Sequence, residues 1–90
     1  MNTLNATLYN ETLTAINFVE SGLVIFNNRF TESNKHELKR YIKNLDKISL
    51  EFELCYAGPV LVKLELLQRV QSVRGEAIIS IHEFNQLSNI

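Results

Sequence analysis

Ile48, Leu50, Phe52, Leu54 and Tyr56 are separated one by one by Ser49, Glu51, Glu53 and Cys55. Alternation with period two is the signature of a β-strand with one buried and one wetted face. It predicts a strand over 48–56, ended by Ala57, Gly58 and Pro59. A strand needs a sheet, and the chain supplies candidates for its partners. Residues 3–9, TLNATLY, alternate weakly, 12–19, TLTAINFV, are rich in β-branched and aromatic side chains, and 23–26, LVIF, form a short apolar run. Asn10-Glu11, Glu20-Ser21-Gly22 and Asn27-Asn28 read as the turns between them. EAIISIHEF at 76–84 reads as a closing strand, with 85–90 expected to fray.

One segment follows a different period. Leu38, Tyr41, Ile42 and Leu45 fall at i, i+3, i+4 and i+7, the stripe of an amphipathic helix. Asn34 with Glu37 three residues on resembles a capping box. Glu37 near the start and Lys43 and Lys47 near the end suit the helix dipole. A helix at about 34–46 follows. Residues 60–74, VLVKLELLQRVQSVR, fit two readings. As a helix, Pro59 opens it and Gly75 closes it. As a strand, Leu54 pairs with Val62, Phe52 with Leu64 and Glu53 with Lys63. The leucines and the punctuation favour helix.

The expected class is therefore α+β: an antiparallel or mixed sheet of four to five strands packed by the 34–46 helix, with 60–74 as a second helix on the favoured reading. A chain of 90 residues fills one core, so 1–90 reads as a single compact domain, with little stability to spare.

Catalytic chemistry finds little support. Cys55, the only cysteine, lies beside Glu51 and Glu53 on the predicted strand, and neighbouring anions disfavour a thiolate. Two histidines, His36 and His82, with one cysteine do not make a metal site. Gly22, Gly58 and Gly75 are scattered, so no phosphate loop exists. Glu51 and Glu53 share a strand face as a solubilising acidic pair. The chain reads as a non-enzyme without metal or cofactor.

Charge is segregated. Residues 29–47 carry six bases and three acids, while the remainder carries three bases and seven acids. Lys35, Lys39, Lys43 and Lys47 recur at i+4 spacing with His36 and Arg40 alongside, opposite the apolar stripe, and Asp46 is the one acid in that arc. This face is the candidate surface for an anionic partner. The leading expectation is a small protein-interaction domain, acting as inhibitor, adaptor or subunit on a protein partner. The alternative is nucleic-acid binding through 34–47, which no aromatic motif accompanies. A homodimer is expected too, with Lys39, Arg40 and Lys43 of one copy meeting Glu51 and Glu53 of another, and apolar contact supplied by 60–67 or an edge at 23–26. No stretch reads as a signal peptide or a membrane span, and a lone cysteine fits a reducing cytoplasm. The bias to asparagine, isoleucine and lysine, with four alanines, suits an AT-rich genome such as those of phage and mobile elements.

Overall fold

The computed structural model describes residues 3–88. Among the described residues there is no strand: three long helices, α1 (Thr3–Asn28), α2 (Glu32–Cys55) and α3 (Val60–Ser88), form an up-down-up bundle 53 Å long and 18 Å across. The α+β expectation is overturned, and with it every predicted strand. The 34–46 helix lies inside α2, and the helical reading of 60–74 holds within α3.

The reason lies in the spacing of what is buried. In α1, Leu8, Thr12, Ala15, Ile16, Val19, Gly22, Leu23 and Phe26 are buried, steps of three and four that run through all three presumed strands. Asn10, Glu11, Glu20 and Ser21, read as turns, lie on the solvent side of a continuous helix. Buried Thr12 fits because its hydroxyl donates to the Leu8 carbonyl at 2.8 Å, one turn back. In 48–56, alternation concealed a longer period. Every second residue includes every fourth, and Ile48, Phe52 and Tyr56 are the i+4 row that packs inward. The other half of the pattern, Leu50 and Leu54, remains 56% and 75% exposed. In α3, Leu66, Val70, Val73, Ala77, Ile81 and Phe84 continue the inward row straight past Gly75. Gly75 does not end a helix, and no glycine adopts positive φ among the described residues.

The caps also differ from expectation. Thr31, not Asn34, caps α2: its side chain accepts from the Asn34 N–H at 3.1 Å, and the Asn34 amide donates to the Arg29 carbonyl at 3.0 Å. Thr31 with Asn34 does the work assigned to Asn34 with Glu37. At the other end, the Tyr56 N–H donates to Phe52 O at 2.9 Å, and the Pro59 carbonyl accepts from Lys63 N–H at 3.1 Å to start α3. Residues 85–88 belong to α3; 89 and 90, also expected to fray, lie outside the described residues.

Aromatic contacts fix the ends. Tyr9 meets Phe52 edge-on at 6.5 Å between ring centres, and Phe52 meets Tyr56 at 4.6 Å. At the opposite end Phe26 packs with Phe30 at 4.8 Å and Phe84 at 5.5 Å. The Ala57 N–H donates to Asn5 Oδ1 at 3.0 Å, tying the second loop to the start of α1. Midway, α1 and α2 approach closely at Gly22, where a Cβ would stand 2.8 Å from Tyr41 Cδ2.

Candidate binding faces of α2 and α3

Helix α2 turns Leu38, Ile42, Leu45 and Phe52 to the core, leaving the arc that carries its bases outside. The structure separates those bases into two groups. Lys35 is mostly buried: its Nζ contacts Glu32 at 3.1 Å and Asn85 Oδ1 of α3 at 3.2 Å, and lies 5.1 Å from the centre of the Phe84 ring. Arg40 pairs with Glu37 at 2.9 Å, which raises its pKa above the usual arginine value, first through that hydrogen bond and then through the charge of Glu37. Lys35 is thus drawn into the bundle, while the Arg40 pair lies on the surface of α2. Lys39, Lys43 and Lys47 are exposed and make no ion pair among the described residues, and His36 beside them is exposed with Glu32 at 3.9 Å.

Asp46, the acid that interrupted the basic arc, is turned aside. Arg74 of α3 grips it with two hydrogen bonds, Nε to Oδ1 at 2.7 Å and Nη2 to Oδ2 at 3.3 Å. This pairing raises the Arg74 pKa, chiefly through the hydrogen bond and then through the carboxylate charge. A pKa raised from an already high value leaves both arginines cationic across the physiological range, so neither is a pH switch.

Next to the lysines runs a groove of about 380 Å³ between α2 and α3, lined by Lys39, Ile42, Lys43, Asp46, Ile78, Ile81 and Asn85. Its floor is apolar and one bank is cationic. The sequence did not disclose it, because it depends on α3 being helical through 78–85.

The acidic half of the expected dimer contact is not where it was sought. Glu51 and Glu53 are exposed residues of α2 itself, on the same helix as the lysines. Two positions apart on a helix is about 200° of rotation, so they do not share a face. The 23–26 edge does not exist either: Leu23 and Phe26 are core residues of α1. The apolar run at 60–67 does reach the surface, with Val60, Leu61 and Leu64 exposed.

Cys55 is exposed in the last turn of α2. Among the described residues no group of three or more His, Cys, Asp or Glu is placed to hold a metal ion, and no helix is long and apolar enough to cross a membrane. No family model, curated protein or solved structure matches the chain.

Proposed function

We propose that this chain is a small non-catalytic protein-interaction domain that docks an acidic segment of a partner along α2. One observation carries the reading: Lys39, Lys43 and Lys47 form an exposed row without ion pairs among the described residues, beside a groove floored by Ile42, Ile78 and Ile81. The row spans about 12 Å at the helical rise. A carboxylate-bearing segment with one apolar anchor satisfies both features, the anchor in the groove and the acids along the lysines. Activity by occupation of a partner's surface suits an inhibitor, adaptor or subunit, and requires no reaction at this site.

Three lysines over that length reach only a few phosphates, and no aromatic side chain lies in the row to stack a base. Nucleic acid is therefore the lesser reading. Affinity capture from extract, quantified for wild type against Lys39→Glu, Lys43→Glu and Lys47→Glu combined, tests the proposal. The same protein captured by wild type and lost by the variant is the expected result. Partner capture that the charge reversal leaves unchanged would overturn it. Binding to duplex DNA with a log–log salt slope near −0.9 per phosphate would transfer the row to the nucleic-acid reading.

A further inference from the structure

The outward face of α3 is built unlike that of α2. All charges of this helix, Lys63, Glu65, Arg69, Arg74, Glu76 and Glu83, fall on its flanks. At 100° per residue they leave an outer arc of about 140° without an acid or a base other than His82. Along its centre run Leu61, Leu64, Gln68, Gln71, Gly75 and Ile78, alternate steps of three and four, with Val60 and Ile79 beside them. Leu61, Leu64 and Ile79 are 75%, 56% and 60% exposed. A row of that spacing, pointing away from the core, has the pattern of a helix-pairing seam.

Gly75 gives a second, independent observation. Gly22 has Tyr41 where its Cβ would stand, and Gly58 has Tyr56; a Cβ on Gly75 would meet nothing within 4 Å. A glycine in mid-helix weakens the helix relative to alanine. Within one chain nothing is gained in return. A helix crossing from outside would make use of it.

We propose that the outer strip of α3 pairs antiparallel with the same strip of a second copy, about a two-fold axis between Arg69 and Val70. This goes beyond the α2 reading and uses a different surface, with Ile78 at the border of both. The register follows from side-chain size. Leu64 of one copy lies over Gly75 of the other and Gln68 over Gln71, while Val60 meets Ile78 along one edge and Leu61 meets Ile79 along the other. Bulk meets its absence, apolar meets apolar, and the two amides meet each other, each contact occurring twice. About this axis each edge of the strip meets the same edge of the other copy, so Glu65 comes near Glu76 and Lys63 near Arg74, like charges that keep the pairing reversible.

Area is consistent with a reversible dimer. The accessible surface is 6061 Å², against about 5,400 Å² for a compact monomer of this mass. The paired segment, 60–79, is about 30 Å long and covers roughly 600 Å² on each copy, about 1,200 Å² in all, the lower bound of a specific interface. A dissociation constant in the micromolar range is expected.

Sedimentation equilibrium of the full chain provides the test. Wild type is expected to rise from 10.4 kDa towards twice that mass through the micromolar range. Leu64→Glu should raise the dissociation constant at least tenfold, while Leu50→Glu, equally exposed on α2, should not. Wild type that stays at 10.4 kDa, or Leu64→Glu that pairs as well as wild type, would overturn the proposal. Oxidative cross-linking fixes the register in a Cys55→Ser background, with Gln68→Cys and Gln71→Cys as separate chains. Mixed, they should form predominantly the hetero-disulfide. Homo-disulfides in its place would mean a parallel pair and refute the antiparallel one. The Lys39, Lys43 and Lys47 charge reversal leaves this strip intact, so loss of partner capture and loss of pairing are read separately.

Discussion

Helices α2 and α3 lie side by side and bury similar inner rows, yet their outer faces have opposite chemistry. That of α2 is crowded with charge, and that of α3 carries almost none. The difference decides what each surface can do. A lysine row attracts an anionic partner from a distance and is weakened by salt. An uncharged strip with exposed leucines acts only at contact, by excluding water.

The largest expected effect lies on the inner face that both helices share. Phe52→Ala removes a fully buried ring that contacts Tyr9 and Tyr56, and should cost about 3–5 kcal/mol, read as a lower guanidinium midpoint. An outer leucine such as Leu64 should cost far less when changed, and a comparable loss would erase the distinction between inside and outside. Next comes the reversal of Lys39, Lys43 and Lys47 to Glu. Partner affinity should fall at least about tenfold, or 1.4 kcal/mol, with the helical circular dichroism retained.

The same contrast explains what was legible beforehand. The core stripe of 34–46 could be recognised because the opposite arc is charged, so its period stood out. The difference between faces is weaker in α1 and weakest in α3, where apolar residues occur all round. There the inward row of Leu66, Val70, Val73 and Ala77 is mixed with outward Leu61, Leu64 and Ile79, so 60–74 fits helix and strand alike and 76–84 reads as a strand. Polar residues on the wet side of α1, such as Glu20 and Ser21, read as turns for the same reason. The basic row was readable as a row; which lysines stay unpaired was not. Lys35 is engaged by Asn85 and Asp46 by Arg74, partners 50 and 28 residues away.

Gly75→Ala sharpens the comparison with a smaller effect. Open space receives the Cβ, so the monomer should gain up to about 1 kcal/mol from helix propensity. The same methyl should weaken pairing, a split that thermal melts and sedimentation of one sample can resolve. A variant that leaves pairing untouched would remove Gly75 from the seam. Smallest is Asp46→Ala. Its bond to Arg74 is short, but both side chains are partly exposed, at 44% and 38%, and solvent screens them. The expected loss is under about 1 kcal/mol, measured by denaturant midpoint and shrinking further in high salt. A loss of several kcal/mol would make that pair, and not the apolar core, the bond between α2 and α3.

The most direct measurement of the claim that α3 presents a self-pairing strip and α2 a charged, unpaired one is a dilution series of amide spectra, from about 500 to 10 µM, the range in which a micromolar dimer dissociates. Amides of 60–79 should shift with concentration, those of the strip most of all, while 35–47 on α2 hold their positions. Spectra that do not change over this range, or that change along the lysine row while α3 stays constant, would contradict the account.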